Sequence, residues 1–216
     1  MRTVIITGGN IEKDFALSFL REYRPSFLLG VDRGLVFCHE NRVRPDCIVG
    51  DFDSIPHEVL QWYRDLGEIP IREYNPVKDA TDTCIALDMA LEQGSSEIVI
   101  LGGTGSRIDH VVCNIQILKR AYQRGIPTFL LDAHNRISLP QGPEFSLSKS
   151  AQYGKYVSFF PLGEEVEGLC LTGFKYPLEN YLLRNLEGLG VSNEITEETA
   201  YVRWEKGILL MIESRD

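Results

Sequence analysis

The chain lacks the marks of a secreted, membrane-bound or nucleic-acid-coating protein. Its five cysteines (Cys38, Cys47, Cys84, Cys113 and Cys170) form no Cys-x-x-Cys pair and no regular framework. Most sit among apolar neighbours, so buried free thiols are expected rather than disulfides or a thiolate metal site. No apolar run approaches the ~18 residues a membrane helix needs, and the apolar stretch within Met1–Gly9 is too short for a signal-peptide core. A soluble cytoplasmic protein is expected. Positive charge is also scarce: 22 Lys and Arg face 31 Asp and Glu, a net charge of −9. Phosphate backbones and anionic membranes are bound by clustered Lys and Arg, so neither is an expected partner. Several phosphate and acyl devices are missing too. There is no Gly-x-x-x-x-Gly-Lys-Ser/Thr loop, no full Gly-x-Gly-x-x-Gly after the first strand, and no Gly-x-Ser-x-Gly elbow,.

What is present is ordinary globular material, 216 residues at 44% hydrophobic, enough for one large domain or two small ones. Short β-branched runs at Thr3–Thr7, Phe27–Val31, Cys47–Gly50, Ile69–Tyr74, Glu97–Leu101 and Pro127–Leu131 read as strands,. Between them lie stretches of helical periodicity. Thr81–Gln93 carries Cys84, Leu87 and Leu91 on one stripe, and Asp109–Arg124 carries Val112, Ile115, Leu118 and Tyr122,. Alternation of this kind predicts an α/β domain, a mostly parallel sheet with helices on both faces. From about residue 133 the helices stop. Ile137–Leu139, Glu144–Leu147, Tyr156–Pro161, Gly168–Leu171, Ala200–Trp204 and Gly207–Ile212 read as strands separated by Gly, Pro and Asn, which predicts an antiparallel β-sandwich. The expected domains are therefore residues 1–133 and 134–216. Trp62 and Trp204 are expected in core or interface space.

The acidic residues divide along the same line. Eleven of the twelve aspartates precede residue 133, and the twelfth is Asp216. Six of them (Asp32, Asp51, Asp53, Asp79, Asp82 and Asp109) fall just beyond the carboxyl ends of predicted strands, the edge where open parallel sheets bind ligands. Singly, each has a plain explanation, since Asp caps helices and tolerates turns. Gathered on one edge they would repel one another unless a cation lay among them, and oxygen-only ligands suit Mg²⁺. Gly8-Gly9 and Gly102-Gly103-Thr104-Gly105 are turns where backbone can approach a ligand, each ahead of a helix start that favours phosphate. Arg33, Lys78, Arg107 and His110 lie in the same loops. The combination reads as a Mg²⁺–polyphosphate site. Asp51-Phe52-Asp53-Ser54 would equally serve a phosphatase with an aspartyl nucleophile, and a nucleotide-sensing module without turnover is a third reading.

The motifs in their order resemble those of the bacterial thiamine pyrophosphokinase family. The resemblance runs through Gly30-Val31-Asp32-Arg33-Gly34, Gly50-Asp51-Phe52-Asp53-Ser54, Lys78-Asp79-Ala80-Thr81-Asp82 and Gly102-Gly103-Thr104-Gly105-Ser106-Arg107-Ile108-Asp109-His110. It continues through Leu171–Leu178 and Gly190-Val191-Ser192-Asn193-Glu194, and so covers nearly the whole chain. Ser106 stands where the family more often has glycine. The resemblance implies pyrophosphate transfer from ATP to thiamine with Mg²⁺, giving AMP and thiamine diphosphate. It also implies a homodimer whose thiamine site is built from the β-domain and the partner subunit. Asp51, Asp53 and Asp82 are then expected as Mg²⁺ ligands, with Asp79 in the outer shell. Arg107 and Lys78 would hold phosphates, Asp32 and Asp109 would orient the nucleotide or fix the loops, and Gly103 and Asn114 would serve the nucleotide. Tyr176, Ser192 and Asn193 would contact thiamine, a cation suited to a carboxylate-rich cleft and an aromatic face.

Overall fold

A computed structural model describes residues 1–75 and 80–216. The chain divides into two compact units, Met1–Ala133 and His134–Asp216.

The first unit runs β1 (Arg2–Ile6), α1 (Lys13–Tyr23), β2 (Phe27–Val31), α2 (Gly34–Glu40), β3 (Cys47–Gly50), α3 (His57–Leu66) and β4 (Ile71–Glu73). It continues with α4 (Asp82–Glu92), β5 (Glu97–Leu101), α5 (Ile108–Tyr122) and β6 (Thr128–Leu131). Its six strands are all parallel, in the order β6-β5-β1-β2-β3-β4. Near-continuous Val, Ile and Leu in β1, β3 and β5 fits strands covered on both faces,. The chain winds outward from β1 to β4, then returns to the far side of β1 as β5 and β6. Because crossovers are right-handed, this reversal puts α1–α3 on one face and α4–α5 on the other. It also makes a topological switch point between β1 and β5, where such sheets bind ligands beyond their carboxyl ends.

One helical face departs from the periodicity reading. Helix α5 buries Asn114, Ile117, Leu118 and Ala121, while Val112 stays 48% exposed. The apolar stripe read from the sequence is therefore rotated, because buried Asn114 is polar and was not counted toward it. Trp62 is not core either. It is 47% exposed on α3 and packs edge-on against His39 and Tyr63.

The second unit contains β7 (Asn135–Ser138), β8 (Glu144–Ser148), β9 (Tyr156–Pro161), β10 (Glu165–Thr172), β11 (Leu178–Arg184), β12 (Asn193–Glu194), β13 (Thr199–Arg203) and β14 (Leu209–Ser214). Antiparallel pairing builds one layer in the order β12-β9-β14-β7 and a second in the order β11-β10-β13-β8. Val157, Phe159, Leu209 and Met211 from the first layer meet Val166, Leu169, Leu171, Leu183 and Val202 from the second, with Trp204 buried among them. This is the expected sandwich.

One polar pair is embedded in it. Glu213 of β14 has no solvent exposure. It accepts two hydrogen bonds from Arg136 on β7, at 2.6 and 2.8 Å, and one from the Tyr153 amide at 3.0 Å. A buried carboxylate deprived of its cation is expensive. Arg136→Met is expected to destabilise the protein by about 3–5 kcal/mol, with much of that recovered when Glu213 is also made Leu; chemical denaturation of wild type and the two variants measures both effects.

Candidate active site

The site is assembled from loops at the carboxyl edge of the parallel sheet. Glycine makes the centre of it possible. The Gly9 amide donates to the Gly102 carbonyl at 3.0 Å, and a Cβ on Gly9 would lie 2.2 Å from that same oxygen. A Cβ on Gly105 would lie 2.5 Å from the Asn10 nitrogen. The glycines of the first and fifth strands thus let two loops touch each other, a use of small residues beyond the ligand approach expected from sequence. Asn114, buried on α5, donates its side-chain amide to the Gly103 carbonyl at 2.9 Å and pins the second loop,.

Ser106 closes that loop at φ +60°, a backbone region that penalises a Cβ. This explains why glycine suits the position. Ser106→Gly is expected to raise the melting temperature or leave it unchanged, and Ser106→Val to lower stability by about 1–2 kcal/mol, both read by thermal unfolding.

The carboxylates come from β2 and β3. Asp32 follows β2 at φ +45° and Phe52 follows β3 at φ +60°. The Phe52 side chain is buried against Leu35, Ile48, Val59 and Tyr63, so the turn is anchored inward by its ring. Its two neighbours, Asp51 and Asp53, line the cleft, and the Asp53 amide donates to Asp51 Oδ1 at 3.3 Å. Asp32, Asp51 and Asp53 each offer an oxygen, and these atoms lie within 4.8 Å of one another. Ser54 donates its hydroxyl to Asp32 Oδ2 at 2.8 Å. Asp32 Oδ1 is buried and has no hydrogen-bond partner among the described residues. Burial drives the Asp32 pKa above the usual carboxylate range, and the charges of Asp82 and Asp51 push the same way against the Ser54 hydrogen bond,.

These groups fit a hard divalent cation. Ligand oxygens around an octahedral Mg²⁺ are about 3 Å apart when adjacent and about 4.2 Å when opposite, so the trio would have to draw inward to share one ion. Sequence reading placed Asp32 with the nucleotide; the fold places its carboxylate beside Asp51 and Asp53. Asp82, the first residue of α4, lines the same cleft.

The cleft has a volume of about 410 Å³. Besides the acids it is lined by Gly8, Gly9, Gly103, Gly105, Asn114 and the basic residues Arg33, Arg107 and His110. Arg107 is engaged within its own loop: its guanidinium makes a two-pronged contact with Asp109. That contact, with the His110 amide also donating to the carboxylate, holds the Asp109 pKa down to about 2. Asp109 itself is not among the cleft-lining residues. Lys78 and Asp79 lie outside the described residues.

In the second unit a separate cleft of about 490 Å³ is lined by Lys175, Tyr176, Pro177, Leu178, Leu189, Val191 and Asn193. Asn193 is buried, and its amide group clamps Tyr176 from both sides. It accepts from the Tyr176 amide at 3.0 Å and donates to the Tyr176 carbonyl at 2.8 Å. Tyr176 is left 56% exposed. Ser192 stands beside them at φ +56°, its amide donating to Ser158 Oγ at 2.9 Å. A further cavity, about 1150 Å³, is a groove on β8, β10 and β13. It gathers no set of acids, bases and glycines comparable to that of the acidic cleft.

The model of the thiamin pyrophosphokinase catalytic domain matches residues 23–130, and that of the thiamin pyrophosphokinase vitamin B1 binding domain matches residues 144–209. The chain belongs to the thiamin pyrophosphokinase family. It is 37% identical to the thiamine pyrophosphokinase of Bacillus subtilis across the full length of both proteins. The crystal structure of a thiamine pyrophosphokinase from that organism superposes with a TM-score of 0.89 at 33% identity, each chain covered completely. The Geobacillus thermodenitrificans thiamin pyrophosphokinase superposes at 0.84 with 33% identity, covering 100% of this chain and 98% of that one. Within this chain, the acidic cleft falls in the part matching the family's catalytic domain apart from Thr7, Gly8 and Gly9, which precede it, and the Tyr176–Asn193 cleft falls in the part matching its vitamin B1 binding domain. The residues that sequence reading passed over are Ser54, Thr7 and Thr83. Hydroxyls carry no pattern of their own, and only the fold shows what they face.

Proposed function

We propose that this protein transfers the pyrophosphoryl group of ATP to the hydroxyl of thiamine, yielding thiamine diphosphate and AMP, and that it requires Mg²⁺. The observation that carries the reading is the meeting of the carboxylate trio with two interlocked glycine loops at the switch point of a parallel sheet. When bound, Mg²⁺ would neutralise the polyphosphate and the charge that develops in transfer. Asp51, Asp53 and Asp82 are assigned as its ligands, joined by Asp32.

The other roles are positional. Gly103, held by Asn114, would present backbone to the nucleotide, and Asp32 and Asp109 would order the loops around it. Arg107 would turn toward the phosphates, exchanging part of its contact with Asp109, and Lys78 is assigned the same task. Such transfers need alignment and charge neutralisation above all. The thiamine oxygen forms a bond to the β-phosphorus while the bond from that phosphorus to the oxygen bridging the α-phosphorus breaks. The hydroxyl proton is lost and AMP departs.

Thiamine is assigned to Tyr176, Ser192 and Asn193. An exposed aromatic face suits a cation, and exposed Leu189 and Val191 beside it suit burial by a second copy of the chain, giving a homodimer with shared sites. Membrane and nucleic acid are not proposed as partners, and the cytoplasm is the proposed location. Incubation with ATP, Mg²⁺ and thiamine, followed by chromatography, tests the reaction. AMP and thiamine diphosphate should form one for one. ADP, inorganic phosphate alone, or a phosphoaspartate trapped at Asp51 would overturn it.

A further inference from the structure

Thr7 and Thr83 form a buried hydroxyl pair that the roles above leave unused. Their Oγ1 atoms lie 2.7 Å apart, and both residues line the acidic cleft. Thr7 follows β1, where its amide donates to the Leu101 carbonyl at 2.9 Å. A Cβ on Gly102 would lie 2.4 Å from the Thr7 carbonyl oxygen, so Thr7, directly ahead of the first glycine loop, lies tightly against the second. Thr83 is the second residue of α4, directly after Asp82. The helix caps itself through Thr81, whose side chain accepts from the Cys84 amide, but that bond is internal and fixes nothing relative to the sheet. The hydroxyl pair does.

We propose that Thr7 and Thr83 are positioning residues that set Asp82 at the cation-binding edge. The inference rests on the reading of Asp82 as a Mg²⁺ ligand. Its physical basis is distance. Apolar groups pack at about 3.5–4.0 Å, so no methyl pair could hold the first turn of α4 as near to β1 as two hydroxyls at 2.7 Å. Replacing either oxygen by carbon pushes that turn away by about 1 Å, and Asp82 moves with it. For stability, a hydrogen-bonded pair and an apolar pair of the same shape are nearly equivalent. The hydroxyls therefore contribute placement more than stability.

That separation makes the test possible. Binding of Mn²⁺ alone, a stand-in for Mg²⁺, is followed by electron paramagnetic resonance of the free ion in wild type, Thr83→Val, Thr83→Ser and the double variant Thr7→Val/Thr83→Val. Melting temperatures are taken alongside. Thr83→Val is expected to weaken Mn²⁺ binding by about tenfold or more, the scale on which disturbing what orients a ligand lowers metal affinity. Thr83→Ser, which restores the oxygen, should return close to wild type. The double variant should regain most of the melting temperature lost by Thr83→Val, since no buried hydroxyl is left unpaired, yet keep the weakened binding. Unchanged Mn²⁺ affinity in Thr83→Val overturns the inference, as does affinity that recovers with melting temperature in the double variant. Wild type that neither binds Mn²⁺ nor forms thiamine diphosphate removes the underlying reading, and the inference with it.

Discussion

Asp53→Asn is expected to reduce AMP formation from ATP, Mg²⁺ and thiamine by at least about 10²–10³-fold while the protein stays folded. The substitution keeps the side chain's shape and one oxygen but removes a charge from a set whose oxygens lie within 4.8 Å. Without that charge the cleft keeps less hold on a divalent cation, and the polyphosphate keeps less of its neutralisation. Stability should move the other way. Clustered carboxylates repel, so the metal-free variant should melt at the same temperature as wild type or higher. The Asp32 pKa is raised by burial. The metal-free fold is therefore favoured below the ordinary carboxylate pKa, and that advantage is lost as pH rises through the raised value. Added Mg²⁺ should restore stability at neutral pH in wild type and much less in Asp53→Asn. Product chromatography and thermal unfolding report the two halves. Near-wild-type turnover in a folded variant would remove Asp53 from the machinery.

Asn193→Ala is expected to raise the KM for thiamine by about tenfold or more, with little change in the KM for ATP. Its side chain makes the paired hydrogen bonds to the Tyr176 backbone, so the variant loses the clamp that presents the ring. It also leaves buried polar groups unpaired, at about 1–3 kcal/mol of stability. Combined with Asp53→Asn it tests the shared site directly. If each site takes Asp53 from one subunit and Asn193 from the other, mixing and re-equilibrating the two impaired variants should recover about a quarter of wild-type activity. Mixed dimers would then hold one intact site and one doubly altered site. No recovery in mixed dimers of verified composition would mean that each site is built from a single chain.

Much of the first unit could be read directly. Phe27–Val31, Cys47–Gly50 and Glu97–Leu101 begin and end where the apolar runs do, because buried parallel strands need continuous apolar side chains. The sandwich was harder. Strand β11 was not anticipated: Leu178-Glu179-Asn180-Tyr181-Leu182-Leu183-Arg184 does not alternate cleanly. Asn180 sits there at φ +47°, and the pairing with β10 shifts register. Strand β12 is two residues long and carries no signal. In the cleft, the edge on which the aspartates lie followed from motif position, but their partners did not. Nothing in the sequence says that Asp32 lies nearer Asp51 and Asp53 than a nucleotide role implied, that Arg107 is held by Asp109, or that Asn193 fastens Tyr176. The first and last depend on contacts between different loops, and the Arg107–Asp109 contact, though only two residues apart, depends on how their own loop turns.

The last strand has a consequence for how the protein is made. Strand β14 follows every other strand in the chain, yet it lies between β9 and β7. The second unit therefore cannot close its first layer until β14 has been made. The first unit has its founding strand β1 at an interior position of the sheet and all its strands by residue 131. At 5–20 residues per second, the eighty or so residues from there to the end of β14 take about 4–16 s to follow,. The first unit has that interval to fold on the ribosome before the strand that closes the sandwich exists.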